Sequence, residues 1–157
     1  MIDADTCHSF YIGGRWLRSA HDDRVAVINP ATEESVAQIA VGSAADVDNA
    51  VAAARAAFPA YAALPVETRA ALLERIHALI LERAESFAQA ISLEMGAAIG
   101  YARSAQVPFA AAHVRVAGEV LGRYPFLKMQ GTTAIVREPI GVCGLITPWN
   151  WPRVRGW

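Results

Sequence analysis

Near the carboxyl end, Gly141-Val142-Cys143-Gly144-Leu145-Ile146 is apolar on both faces of an extended chain. A strand with one wet face alternates polar and apolar residues. A strand covered on both sides, as in a parallel sheet, does not. Its parallel neighbour is reached only through a crossover of about a dozen residues or more, usually a helix. Beyond Ile146 the 157-residue chain has eleven residues left. Most of them are spent on Thr147-Pro148-Trp149-Asn150-Trp151-Pro152, and Arg153-Val154-Arg155-Gly156-Trp157 carries no helical apolar stripe. The expectation is a parallel sheet that is begun and not built.

Burying a Val, Leu or Ile side chain contributes about 1.5–3 kcal/mol. Losing the partners of Val142, Leu145 and Ile146 is then comparable to a typical net stability of about 5–15 kcal/mol. The last twenty or so residues are therefore expected to stay loose while the helical part folds.

The rest of the chain is that of a packed globular protein, with 54% hydrophobic and 18% charged residues. A net charge of −1, with Lys and Arg scattered, excludes the basic stripe of a nucleic-acid groove. The start, Met1-Ile2-Asp3-Ala4-Asp5, is acidic and unlike a secretory signal. The uncharged stretch from Pro139 to Pro152 is too short and too rich in Pro and Gly to span a bilayer. Cys7 and Cys143 form neither a metal spacing nor a disulfide framework, so a reducing cytoplasm is the expected compartment.

Along the chain, Phe10-Tyr11-Ile12 and Arg15-Trp16-Leu17 flank Gly13-Gly14, a two-residue hairpin signal. Val25-Ala26-Val27-Ile28 and Ser35-Val36-Ala37-Gln38-Ile39-Ala40 form a second strand pair around an Asn29-Pro30-Ala31-Thr32 turn. Ser43 and Asp46 make a capping-box pattern before Val47, Val51, Ala54 and Phe58 at helical spacing. A second helix starts at Pro65, in the first turn, and carries one stripe of Leu72, Leu73, Ile76, Leu79, Ile80, Phe87 and Ile91 to a stop at Gly96. A third runs from about Ala102 to Leu121, with Pro108 marking either a kink or the true start. Gly122 and Pro125 close the helical section, and residues 132–137 read as a strand with one wet face.

Ile146-Thr147-Pro148-Trp149-Asn150-Trp151-Pro152 resembles the motif that closes the first strand of the cofactor-binding domain in the aldehyde dehydrogenase superfamily. Arg137-Glu138-Pro139-Ile140-Gly141-Val142 resembles that family's lead-in to the same strand. Tyr11-Ile12-Gly13-Gly14, Ile28-Asn29-Pro30-Ala31-Thr32, the stretch from Gly42 to Phe58, and Ser92-Leu93-Glu94-Met95-Gly96 also match, in the family's order, over roughly residues 9–152. The resemblance implies an α/β fold: the amino-terminal part of an NAD(P)-binding domain, with small strands, three helices, an arm strand and the first strand of an incomplete parallel sheet. Residues 1–157 would be a truncated form of that domain. Within it, residues 123–138 would match an arm that joins subunits into homo- or hetero-oligomers.

The family oxidises an aldehyde to a carboxylic acid with NAD or NADP. A cysteine thiolate attacks the carbonyl, and a glutamate-activated water releases the acid. By resemblance Asn150 is the side-chain donor to the oxyanion, and Ile146, Thr147, Pro148 and Trp149 run beside the nicotinamide. No residue is implied as a metal ligand. The resemblance places the nucleophilic cysteine, the base glutamate, the ribose-contacting lysine and the phosphate-contacting helix beyond residue 157. The fragment alone is therefore expected to be inactive and to bind neither NAD nor NADP. At residues 153–157 the resemblance ends, with two arginines where an apolar helix is implied. The expectation is a frameshift, premature stop or gene-end break after Pro152, which reading the encoding DNA in the other frames would test. The alternative is a non-catalytic interaction protein that pairs with full-length aldehyde dehydrogenase subunits through an open edge at residues 123–137.

Other chemistry-bearing residues have plainer readings. Cys143, mid-run with no base beside it in sequence, is expected to be a buried small hydrophobe. His8, His21, His77 and His113 match no ligand spacing and read as surface or packing residues. Glu94 reads as a solvated helix-end carboxylate, and the Leu72-to-Ile91 stripe as core or a partner-facing helix side. Gly141-x-x-Gly144 is not the three-glycine phosphate fingerprint.

Overall fold

The computed structural model describes residues 7–19 and 21–151; Pro152 and the departure expected at 153–157 lie outside them. Strands β1 (Ser9–Ile12) and β2 (Arg15–Arg18) pair antiparallel, with Ile12 opposite Arg15. Gly13 and Gly14 have φ of 58° and 79°, as a two-residue turn that follows strand twist requires. Strands β3 (Arg24–Ile28) and β4 (Ser35–Ala40) form a second antiparallel pair with a register shift at Val27/Ile28. Asn29 closes the connecting turn as expected: its Oδ1 accepts from the Ala31 amide at 2.9 Å, and its carbonyl accepts from the Glu33 amide at 2.8 Å.

Helix α1 (Ala44–Ala62) opens on a complete capping box. Asp46 N–H donates to Ser43 Oγ at 3.2 Å, and Ser43 N–H donates back to Asp46 Oδ2 at 2.9 Å. The Ser19 hydroxyl reaches the same carboxylate oxygen at 2.8 Å, which ties the end of β2 to the start of α1. The apolar stripe expected on α1 is not a core face. Val51 and Phe58 are half-buried, Val47 and Ala54 are exposed, and no residue of the helix is buried, because β1 is its chief neighbour.

The stripe read as one helix is two, α2 (Val66–Glu82) and α3 (Ala84–Met95). They are separated by Arg83 at φ −104°, ψ 17°. Three- and four-residue spacing survives a one-residue bend, so periodicity does not register it. The bend turns the chain from the last helix (Val107–Arg123), which α2 packs against, toward the segment around residue 104. Pro65 caps α2 from outside rather than occupying its first turn. Gly96 ends α3 in the left-handed region, φ 77°, with its N–H on the Ser92 carbonyl.

A short helix α4 (Ile99–Tyr101) runs into a π turn (Ala102–Gln106) and then α5 (Val107–Arg123). Pro108 therefore marks the true start of the last helix, at its first turn. Proline lacks an N–H and its ring collides with the carbonyl four residues back. The wider π turn, with Val107 N–H bonded to the Ala102 carbonyl five residues earlier, makes room for that ring. The core lies where α2, α3, the π turn and α5 meet: Ile80, Ala88, Ile91, Ala102, Val107, Ala111 and Val114. The three alanines and two valines among them let the helices approach closely. His77 spans α2 and α5, with its Nδ1 2.9 Å from the Ala111 carbonyl oxygen.

Strands β5 (Leu127–Gln130) and β6 (Thr133–Val136) form a third antiparallel hairpin around Gly131, φ 61°. The expected single wet face is not observed. Ile135 is half-buried and every other residue of the two strands is exposed. The hairpin is fastened at its base, where Arg137 N–H donates to the Phe126 carbonyl at 2.8 Å and Arg69 lies over the Phe126 ring.

Residues 141–146 do not form the expected buried strand. The sheets among the described residues are three two-stranded antiparallel pairs, and this segment belongs to none. With no neighbouring strand there is no ladder, and Ile140 and Ile146 are 95% and 98% exposed. Cys143, expected to be buried, is exposed for the same reason.

Candidate functional site

The residues singled out at the end of the chain occupy a turn resting on the π turn. Trp151 N–H donates to the Pro148 carbonyl at 3.3 Å, closing residues 148–151 on themselves. Gln106, the last residue of the π turn, donates its Nε2 to the Asn150 main-chain carbonyl at 3.1 Å. Trp151 packs edge-on to Phe109 at 5.5 Å between centroids and to Tyr101 at 6.2 Å. Phe109 also lies 4.3 Å from the His113 ring. One hydrogen bond and two aromatic contacts thus seat the turn.

The five candidate residues differ in their surroundings. Pro148 is half-buried beneath the turn. Thr147 and Asn150 are exposed, and Trp149 is 82% exposed. Together with Ile146 they form a mostly exposed, largely apolar ribbon that is anchored at Asn150 and Trp151. The geometry therefore brings Asn150 to the π turn and leaves Ile146, Thr147 and Trp149 facing outward.

Gln106 is 4% exposed and sits among apolar side chains. Its Nε2 also lies 3.9 Å from Met95 Sδ, and its Oε1 is buried without a hydrogen-bond partner. The sequence reading missed Gln106, Tyr101, Phe109 and Trp151 as the seat of the turn. The available signal was a glutamine between alanine and valine at the head of an apolar helix, next to Pro108.

A second tie steadies the π turn. Arg103 grips Glu85 with two nitrogens, Nε to Oε2 at 2.8 Å and Nη2 to Oε1 at 2.6 Å. Gln89 donates to Oε1 at 2.9 Å. The Arg103 hydrogen bond, then that of Gln89, holds the Glu85 carboxyl down at about 2. Asp46 is likewise lowered, first by the Ser43 backbone N–H and then by the Ser43 and Ser19 hydroxyls. Glu94 is exposed at its helix end, as read. Among the described residues no group of three or more His, Cys, Asp or Glu could hold a metal ion. No helix among them is long and apolar enough to cross a membrane.

Comparison with known proteins settles the lineage. Residues 16–155 match the Aldehyde dehydrogenase family. The chain belongs to that family. A 3-succinoylsemialdehyde-pyridine dehydrogenase of a Pseudomonas species is 44% identical over 144 residues, which cover 91% of this chain and 30% of the relative. Aldehyde dehydrogenase C of Pseudomonas syringae, solved as a cysteine-to-alanine mutant with NAD+ and octanal, superimposes with a TM-score of 0.96 at 59% identity, covering 98% of this chain and 32% of that one. An aldehyde dehydrogenase of Bartonella henselae gives a TM-score of 0.91 at 35% identity, with 94% and 32% coverage.

The chain thus spans about 30% of the length of the aldehyde dehydrogenases it matches. The α/β fold and the oxidoreductase lineage stand as expected, with a fragment's coverage. The interaction reading draws no separate support from these matches.

Proposed function

We propose that this chain supplies one wall of an NAD-dependent aldehyde oxidation site, with Asn150 as the donor to the oxyanion. The observation that carries the reading is the seating of Asn150. Its main-chain carbonyl is held by Gln106 while the residue itself stays exposed. An aldehyde carbonyl attacked by a thiolate gathers negative charge on oxygen. A fixed amide N–H aimed at that charge lowers the barrier by about 3–4 kcal/mol.

The ribbon at Ile146, Thr147, Pro148 and Trp149, exposed at all but Pro148, suits the nicotinamide end of the dinucleotide, since a flat ring covers an apolar ribbon well. Nothing among the described residues suits the phosphates, because Gly141-x-x-Gly144 is not the three-glycine fingerprint. The residues therefore fit one end of the cofactor. When bound, NAD+ accepts the hydride; NADP stands as the alternative carrier. The nucleophile and the base are proposed to come from the part of the aldehyde dehydrogenase that this chain does not span, so the chain alone is inactive and holds no dinucleotide. Octanal, the aldehyde in the Pseudomonas syringae structure, is the first substrate to try.

The β5–β6 hairpin, within residues 123–138, is proposed as an oligomerisation arm. Its support is the exposure of both strands and of their outer edges. The compartment proposed is the cytoplasm, consistent with two free cysteines, Cys7 and Cys143.

The test joins this chain in frame to the remainder of the Pseudomonas syringae enzyme and follows octanal-dependent NADH formation. The chimera is expected to turn over, and Asn150→Ala to lower kcat about 10²–10³-fold. A folded, active chimera indifferent to Asn150→Ala would refute the oxyanion role.

A further inference from the structure

We infer that Gln106 is a positioning residue that sets the direction of Asn150 by clamping its main-chain carbonyl to the π turn. The inference rests on the oxyanion reading of Asn150 for its catalytic meaning, but its geometry stands apart from that reading.

The glutamine's two ends differ in what they meet. Nε2 faces two acceptors, the Asn150 carbonyl at 3.1 Å and Met95 Sδ at 3.9 Å. Turning the amide over would set Oε1 against both, so the donor end is fixed toward the turn. The other end, Oε1, is left buried with no partner. A buried acceptor without a donor is a net cost to folding, whereas an apolar residue of the same size has none. A residue serving the core alone would not be a glutamine here. Its neighbours in the core are apolar: Ala102, Val107 and Ala110 are all buried.

The π turn explains how a polar side chain reaches across. Gln106 is its last residue, and Arg103, on the same turn, is gripped by Glu85. The donor therefore projects from a segment braced on α3. Its partner lies 44 residues further along, on a stretch with no strand neighbour to hold it. Beside this bond, the Trp151 ring contacts also hold the turn to the body. Release of Gln106 frees the main chain at Asn150 and with it the direction of that side chain.

The test uses Gln106→Leu and Gln106→Met in the 157-residue chain. Both remove the donor together with the buried, partnerless Oε1, and the exposed Asn150 is left to turn its carbonyl to water. Hydrogen exchange at the Trp151 amide and ring contacts from Trp151 to Tyr101 and Phe109 are read by NMR, beside thermal unfolding. The expected result is unchanged or raised thermal stability, at least tenfold faster exchange at Trp151, and loss of the ring contacts. Core amides on α2 and α5 keep their protection. Unchanged exchange at Trp151 overturns the inference. So does a fall in stability with exchange rising everywhere, or failure of both variants to fold, since each marks an ordinary core role.

The catalytic meaning is read separately in the chimera with the Pseudomonas syringae enzyme. Gln106→Leu is expected to lower kcat at least tenfold with KM for NAD+ unchanged, and to add nothing in the Asn150→Ala background. An additive double variant would sink the positioning role. Indifference of kcat to Asn150→Ala would instead sink the oxyanion reading, while the NMR result stands.

Discussion

Gly96 is packed so closely on Pro30 that a Cβ built on it would lie 2.5 Å from the proline Cγ. The glycine ends α3, the proline sits in the β3–β4 turn, and their contact fastens the second hairpin to the helical body. Gly96 also has φ 77°, where a side chain is strained regardless of space. Gly96→Ala is expected to lose at least about 2 kcal/mol, the sum of a left-handed penalty and overpacking. Urea unfolding measures it. Pro30→Ala should recover the steric part and leave the backbone part, and a loss no larger than that of Gly100→Ala would contradict the contact.

Glu85 has a folded-state pKa depressed from 4.5 to about 2 by Arg103 and Gln89. A depressed carboxyl stabilises the fold above its unfolded pKa and loses that contribution as pH falls through the folded value. Wild type should therefore exceed Glu85→Gln in stability above about pH 4.5, and the two curves should converge as pH falls toward about 2. The pair is exposed, so added salt should shrink the gap. A gap that widens on acidification would refute the assignment.

Ser43→Ala removes the hydroxyl that accepts the Asp46 N–H and that donates to the Asp46 carboxylate. The expected loss is about 1 kcal/mol, from the helix cap. Ser19→Ala should cost less, because Ser19 donates to the carboxylate oxygen and accepts the exposed His21 N–H but caps no helical N–H. Equal losses in thermal or urea unfolding would mean that the cap is not the main contribution.

Ala88 has no exposed surface and lies in the core formed with Ile80, Ile91 and Val107. Ala88→Leu forces extra volume between packed helices and should cost about 1–3 kcal/mol. By contrast, Ala78→Leu on the exposed side of α2 should be near neutral. A neutral Ala88→Leu would show that the helices can separate without loss.

Residues 140–147 should exchange their amides almost as fast as an unfolded chain, since no strand pairs with them. Protection through Ile146 equal to that of α5 would overturn the description of this segment as unpartnered ribbon.

What could be read in advance depended on how local the determining chemistry is. The Gly13-Gly14 turn, the Asn29 turn, the Ser43–Asp46 box and the Gly96 stop are each decided within a few residues, and all are in place. Arg83 was not legible, because its bend preserves the spacing of apolar residues that periodicity detects, and the π turn adds a single residue, too little to interrupt that pattern. The segment at 141–146 carries the composition of a buried strand, but burial needs a neighbour, which composition cannot provide. Cys143 was misplaced with it. At the site, the motif pointed to the turn holding Asn150, while its seat on Gln106, Tyr101 and Phe109 joins residues more than forty positions apart, beyond the reach of any local pattern.

The π turn holds one residue more than an α-helical turn would over the same rise. Deleting Ser104 would restore ordinary spacing with the helix on either side keeping its orientation, because the extra residue is taken up locally in the widened turn. Pro108 would then meet the carbonyl four residues back, which the widened turn now holds aside. A single-residue deletion at this place thus works like pulling a shim: the outer pieces keep their setting, and the misfit falls on the ring at their joint.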